Sequence, residues 1–356
     1  MATIPRNATY EGDTVRALRG RLRVGPEGDD MQAVLLDRAS LDLDDLNFNK
    51  LDSIFKKIHY FKATAATQTV ARIGTAECAI VNKAVLDRSV LERCPRLRLI
   101  CVLATGTNNV DLQAAAARGI TVVNCRGYGT ASLVQHVFML VLALSRNLLS
   151  YVRDVRDGRW ARADQFCLLT HPIGELEDRV LGIIGYGEIG RRVAQTAELL
   201  GMSVRVAQRP GVERPEPGRV RLPELLAEVD VLSLHCPLTP ATRGLIGAPE
   251  LARMKDTALL INTARGGIVD EAALADALRT GQIAGAGVDV LTEEPPWQGN
   301  PLLEPDISNL IVTPHCAWGS RQARQRLIDQ TAENVRSWLA GKPLRVVAGP
   351  GGAKRT

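Results

Sequence analysis

Residues 180–194 read Val-Leu-Gly-Ile-Ile-Gly185-Tyr-Gly187-Glu188-Ile189-Gly190-Arg-Arg-Val-Ala, an apolar, strand-like run that turns through three glycines into a helix-like one. In that setting the first glycine makes a tight turn, the second lets the backbone approach a pyrophosphate, and the third packs helix on strand. The helix N-terminus then faces the phosphate charge. The bare hexapeptide is as often a plain turn as a site. A strand before it, a helix after it and a second strand at the right remove make it a dinucleotide site. An NAD site of this kind has an acid at the end of that second strand, about 20 residues on, for the ribose hydroxyls. Here the strand runs Ser203-Val-Arg-Val-Ala-Gln208-Arg209. Gln208 is neutral, and Arg209 can meet a 2′-phosphate or stand as a solvated charge. The expected cofactor is therefore NADP or NAD, with NADPH favoured.

The alternation around this loop gives the fold class. Strand candidates at 180–184, 204–208, 231–235, 258–261, 287–290 and 310–312 are separated by helices such as 191–200 and 271–279. Six such strands make a doubly wound parallel sheet. A second alternation precedes it, with strand candidates at 33–36, 79–81, 97–102 and 121–123 and a helix at 112–118 that stops at Gly119. The helix 321–339 follows the second sheet, and we expect it to return to the first domain. A chain of 356 residues is long enough for two domains of about 150 residues. We expect a loosely held extension over 1–30, a substrate domain from 31–126 and 320–348, a nucleotide domain over 127–319, and a tail over 349–356. Two crossings between domains make a hinge with a cleft, a usual place for a small ligand.

Charge and cysteines narrow the class. The net charge of +5 comes from 44 basic and 39 acidic residues that are interspersed, so neither a nucleic-acid nor a membrane footprint is present. The most apolar stretch, 131–149, contains Gln135 and His136 and ends on Ser145, Arg146 and Asn147, which reads as a buried or interface helix. Seven scattered cysteines without C-x-x-C spacing fit a reducing, cytoplasmic setting, and no metal site is expected. The first thirty residues mix arginines with five acids, unlike a transit peptide.

Three segments fall at C-terminal ends of strands in the second sheet, where such sheets bind ligands. They are Ile261-Asn-Thr263-Ala264-Arg265-Gly-Gly, Asp289-Val-Leu-Thr-Glu-Glu294-Pro-Pro and Val312-Thr-Pro-His315-Cys-Ala-Trp318. Singly, each has a bland explanation: a surface arginine, a Glu-Pro turn, a structural histidine. Together, in this order and after the glycine loop, they do not. With Ala104-Thr105-Gly106-Thr-Asn-Asn-Val-Asp111, Gly127-Tyr-Gly-Thr and Val134-Gln-His-Val137, they make residues 31–347 resemble the D-isomer-specific 2-hydroxyacid dehydrogenases. The resemblance is closest to the glycerate dehydrogenase/hydroxypyruvate reductase branch.

The resemblance implies an α/β protein of two domains, a Rossmann-type doubly wound NAD(P)-binding domain and a flavodoxin-like substrate domain. It also implies roles that fit the chemistry. Arg265 would fork onto the substrate carboxylate, and His315 would give a proton to the carbonyl oxygen as hydride arrives. Glu294 would bond the imidazole and favour its charged form, and Thr105 and Gly106 would offer backbone N–H groups to the carboxylate. Cofactor contacts would come from Gly185, Gly187, Glu188, Ile189, Gly190, Gln208, Arg209, His235, Cys236, Pro237, Thr263, Ala264 and Asp289, with Thr130 and Gln135 nearby. Trp318 would either narrow the pocket or pack at a hinge. The implied reaction is reduction of hydroxypyruvate or glyoxylate by a homodimer built on the 131–149 helix and the arm through Tyr151, Trp160 and Phe166. The alternatives are a phosphoglycerate or other D-2-hydroxyacid dehydrogenase and, outside the enzymes, a dinucleotide-sensing corepressor-like binding module.

Overall fold

The computed structural model describes residues 31–212, 214, 216–350, 352 and 353. The expectations for residues 1–30, 351 and 354–356 lie outside them. The chain forms two compact units, one of the segments up to Arg126 and from Arg324 onward, the other from Gly127 to Ala323.

The first unit begins β1 (Gln32–Leu35), α1 (Asn49–Asp52), β2 (Lys57–Tyr60), α2 (Thr69–Ile73), β3 (Cys78–Val81), α3 (Arg88–Glu92), β4 (Leu99–Val102), α4 (Leu112–Ala117) and β5 (Thr121–Val123). These strands are parallel in the order 2-1-3-4-5, the flavodoxin-like order. β3 and β4 are buried at every position, so they read as continuous apolar runs. The sequence reading missed β2. It is an edge strand, Lys-Ile-His-Tyr, exposed at every second position and therefore without an apolar run to mark it.

The second unit contains α5 (Thr130–Ser145), α6 (Leu148–Arg156), β6 (Val180–Ile184), α7 (Glu188–Leu199), β7 (Ser203–Val206), α8 (Leu222–Glu228), β8 (Val231–Leu234), α9 (Ala248–Leu251), β9 (Leu259–Asn262), α10 (Glu271–Arg279), β10 (Gly285–Val288) and β11 (Leu310–Val312). All six expected strands are present, parallel, in the order β11-β10-β9-β8-β6-β7. Val220 adds one parallel bridge to Ala207. Counted as a third strand, it turns the order into 3-2-1-4-5-6 with one further strand, the Rossmann arrangement. The strand order reverses between β6 and β8, so the ligand crevice belongs at the C-terminal ends of those two strands.

One expectation needs correction. The apolar stretch 131–149 is not one helix. Asn147 takes a left-handed φ of 49°, and α5 and α6 meet there at 61°. Asparagine tolerates that conformation better than most residues, and periodicity alone does not reveal it. No single helix among the described residues is long and apolar enough to cross a membrane.

The chain then runs through α11 (Arg321–Leu339), whose bounds match the expectation, to β12 (Val346–Gly349) and β13 (Gly352–Ala353). β12 lies antiparallel on β5 and extends the first sheet. Neither short strand was expected from the glycine-rich end.

Candidate active site

The glycine loop is dictated by contact. Gly185 has φ +96°, and a Cβ there would lie 2.5 Å from Cys236 N and 2.7 Å from the His235 carbonyl oxygen. Gly190 backs onto the Gly185 carbonyl, so a side chain there would collide with the turn. Gly187 is different: a Cβ would meet nothing within 4 Å. The first and third glycines are thus needed by the fold, and the second leaves open space above the backbone. Thr130, the first residue of α5, donates to Glu188 Oε1 at 2.6 Å and ties this loop to the start of α5.

The loops after β9, β10 and β11 build the rest. Asn262 ends β9 and is buried; its amide donates to the Arg265 carbonyl (3.1 Å) and its oxygen accepts from Ala264 N (3.1 Å). This brace holds the turn that presents Arg265, whose exposed guanidinium also donates to the Ala264 carbonyl. Gly266 lies hard against the Leu291 backbone, where no side chain fits. The Arg265 turn therefore touches the turn that carries Glu294.

Glu294 divides its carboxylate between two partners. Oε1 accepts from Leu291 N at 2.9 Å, and Oε2 lies 2.6 Å from His315 Nδ1. Glu271 braces the same turn from α10, accepting from Thr292 N at 2.6 Å and Thr292 Oγ1 at 2.9 Å. His315 has a left-handed φ of 50°, and its N–H donates to the Asp289 carbonyl at 2.8 Å. With Nδ1 engaged, Nε2 is the ring nitrogen left to exchange a proton with a ligand.

Asp289 is buried, and its carboxylate accepts from Cys316 N and Ala317 N, both at 3.0 Å, and from Thr313 Oγ1 at 2.5 Å. Trp318 folds back so that its indole donates to the His315 carbonyl at 3.0 Å, and its ring meets Tyr128 edge-on.

Three observations fit a bound dinucleotide. The space above Gly187 is one. Thr263 Oγ1 is another, a buried side-chain oxygen with no hydrogen-bond partner at the end of β9. The third is a cavity of about 270 Å³ past β7, lined by Gln208, Arg209, Arg221, Leu222, Ala241 and Leu245 among others. A cavity of about 410 Å³ lies instead at the N-terminal edges of β6, β8 and β9, away from these groups, and is not part of the candidate site.

The nucleotide end also corrects the simple reading of Arg209. Its Nε pairs with Glu216 Oε1 at 2.9 Å, and its backbone N–H donates to Oε2 at 3.0 Å. Arg209 is therefore partly neutralised from within the chain. The Gln208 amide donates to the Val212 and Arg214 carbonyls. At the end of β8, His235 Nε2 lies 2.9 Å from Ser233 Oγ, and burial pulls the imidazole down to about 4. Cys236 and Pro237 continue that strand end, and burial pushes the Cys236 thiol up to about 11. In the first unit, Thr105 and Gly106 follow β4. Thr105 Oγ1 donates to the Cys125 carbonyl (3.0 Å), and its own carbonyl accepts from Asn124 Nδ2 (2.7 Å).

Sequence reasoning thus located the strand ends and missed the braces. Asn262, Thr313, Glu271 and His136 were not assigned a role. Only their hydrogen bonds in the folded chain identify them, because a polar residue beside a motif has no distinguishing pattern.

Comparison with known proteins places this geometry in a family. The family model described as D-isomer specific 2-hydroxyacid dehydrogenase, NAD binding domain, matches residues 138–317. A glycerate dehydrogenase of Methylorubrum extorquens is 47% identical over 320 residues, covering 89% of this chain and 98% of that protein. A hydroxypyruvate reductase of Blautia hydrogenotrophica is 38% identical, covering 89% and 99%. Among solved structures, the NADPH-dependent glyoxylate/hydroxypyruvate reductase of Sinorhizobium meliloti in complex with NADP and malonate is 28% identical. It covers 92% of this chain and 99% of its own at a TM-score of 0.74. The glycine loop, the two parallel sheets and the extent of these matches agree: the chain belongs to the D-isomer-specific 2-hydroxyacid dehydrogenases, oxidoreductases with a nicotinamide-dinucleotide domain.

Proposed function

We propose that this enzyme reduces a small 2-oxo acid, hydroxypyruvate or glyoxylate, to the corresponding 2-hydroxy acid, D-glycerate or the achiral glycolate. The observation that carries the reading is the Glu294–His315 pair at 2.6 Å, with the second Glu294 oxygen fixed on Leu291 N. Bound reduced nicotinamide supplies the hydride. His315 Nε2 gives the proton to the carbonyl oxygen, and Glu294 stabilises the imidazolium before that transfer and holds the ring edge in place. Arg265 forks onto the substrate carboxylate, and Thr105 and Gly106 supply N–H groups to it. The dinucleotide is held by Gly185, Gly187, Glu188, Ile189 and Gly190 at the pyrophosphate, by Gln208 and Arg209 at the ribose, by His235, Cys236 and Pro237, and by Thr263, Ala264 and Asp289. Thr263 Oγ1 gains the partner it lacks.

NADPH is used at least as well as NADH. The second strand ends without an acid, and Arg209 and Arg221 line the cavity there. The enzyme is a cytoplasmic homodimer in this reading, supported by seven unpaired cysteines and by the exposed apolar side chains of α5 and α6. The substrate is the finer part of the proposal, supported by the names of the two relatives above.

Initial rates on hydroxypyruvate, glyoxylate, pyruvate and phosphohydroxypyruvate with both coenzymes test it. A preference for phosphohydroxypyruvate selects the phosphoglycerate alternative, and coenzyme binding without turnover of any of the four selects the sensor. His315→Ala should lower kcat by about 100-fold or more, whereas Arg265→Ala should mainly raise the substrate KM. Near-normal turnover by His315→Ala defeats the mechanism.

A further inference from the structure

Three side chains behind the His315 turn, His136, Thr313 and Asp289, form a half-buried relay that neither the glycine loop nor the Glu294–His315 pair uses. His136 projects from the second turn of α5, its side chain 11% exposed, with Nε2 2.9 Å from Thr313 Oγ1 and 3.6 Å from Asp289 Oδ1. Thr313 Oγ1 in turn lies 2.5 Å from Asp289 Oδ1. The order of protons along this chain follows from valence. A threonine hydroxyl has one proton, and at that distance from a carboxylate it goes to Asp289. Thr313 Oγ1 then faces His136 with lone pairs only, so His136 Nε2 carries hydrogen and donates. Burial lowers the His136 pKa, against the opposite pull of Asp289, so the ring is held neutral with its single N–H on Nε2.

Asp289 is the centre of the arrangement. Besides Thr313 it accepts from Cys316 N and Ala317 N, the two amides that directly follow His315. The same residue's carbonyl accepts from His315 N. His315 stands at φ +50°, a conformation a β-substituted residue adopts at a cost unless its surroundings impose it. The three amides fixed by Asp289 impose it. α5 adds a second contact one turn earlier: Ser132 Oγ donates to the Ala317 carbonyl at 2.7 Å. Positions 132 and 136 share a helix face, so both reach the same turn. α5 packs directly on the sheet at this level, because Gly287 of β10 lies against Leu140 with room for no Cβ.

We infer that His136 is a positioning residue for His315, acting through Thr313 and Asp289. Its N–H orients the Thr313 hydroxyl toward Asp289, which keeps the carboxylate aligned on the Cys316 and Ala317 amides. His136, Asp289 and Cys316 also bring metal-ligating atoms within 4.8 Å of one another. The relay accounts for that grouping without an ion: Nε2 is a donor, and both Asp289 oxygens are engaged by donors.

The kinetic part of the test rests on the reduction proposed above; the exchange part does not. The variants are His136→Phe, His136→Gln, whose amide can still donate, and Thr313→Val, which keeps shape and removes both bonds. Hydrogen–deuterium exchange of the Cys316 and Ala317 amides is read in the coenzyme-free protein, with kcat and both KM values on the substrate that the rate comparison selects. His136→Phe and Thr313→Val should each speed those two amides and lower kcat by about tenfold, because small misplacements of a reacting group are expensive in rate. His136→Gln should stay near the parent, and the His136→Phe/Thr313→Val double variant should be no worse than Thr313→Val alone. Unchanged exchange in a folded His136→Phe protein overturns the inference, as does damage by His136→Gln equal to that of His136→Phe. If no 2-oxo acid is turned over at all, the proposed reaction fails while the exchange comparison still decides the role of His136.

Discussion

His235 sits where β8 meets the glycine loop, its imidazole drawn down to about 4 by burial. Because the unfolded ring titrates near 6.5, the unfolded chain binds a proton that the folded chain refuses between about pH 6.5 and pH 4. Stability contributed by this residue is therefore intact above pH 6.5 and is lost as the pH falls. The loss reaches at most about 2 kcal/mol by pH 5, a ceiling because the residue keeps some solvent contact. His235→Asn should narrow the difference in Tm between pH 7.5 and pH 5, and an unchanged difference would falsify this assignment. At the nucleotide end, Glu216 competes with any 2′-phosphate for Arg209. Glu216→Gln should raise the ratio of kcat/KM for NADPH over NADH by about tenfold, the equivalent of about 1.4 kcal/mol. Arg209→Ala should erode any NADPH advantage. A ratio indifferent to both changes removes Arg209 from coenzyme selection.

At the scale of elements, the β6–α7 junction separates glycines required by the fold from the glycine left free for a ligand. Gly190→Ala forces a methyl onto the Gly185 carbonyl and should cost about 1–3 kcal/mol of stability, read as a lower Tm without coenzyme. Gly187→Ala has open space and an ordinary φ of −80°, so its Tm should match the parent. Its methyl occupies the approach to the backbone, and the Kd for the dinucleotide should rise about tenfold or more. Equal coenzyme affinity in Gly187→Ala would mean that the pyrophosphate lies elsewhere.

For the molecule as a whole, the question is what covers α5, α6 and the segment after them. Met139, Leu142, Leu148, Leu149 and Val155 are exposed there, and Phe166 is 91% exposed. So much apolar surface on consecutive elements of one chain marks an interaction face. The homodimer proposed above would bury it. Sedimentation at micromolar concentration should give the mass of a dimer, and Leu149→Glu with Val155→Glu should shift it to the monomer. A parent protein that sediments as a monomer excludes the assembly.

The sequence by itself determined the parallel α/β class, the glycine loop, the two C-terminal strand ends that bear Arg265 and Glu294, and the position of His315. These features rest on local patterns: apolar runs of buried strands, glycines at fixed offsets, and polar residues just past strand ends. Tertiary structure alone decided the rest. The half-exposed strand β2 and the bend at Asn147 have weak local signals, because an edge strand and a single left-handed residue leave the periodicity almost intact. The pairing of Arg209 with Glu216 spans a turn whose closure the sequence does not state. The support of His315 by Asp289, Thr313 and His136 joins residues up to 177 positions apart. Their hydrogen bonds are selected by burial, which makes an unpartnered donor or acceptor costly, and burial exists only once the sheet and α5 have packed.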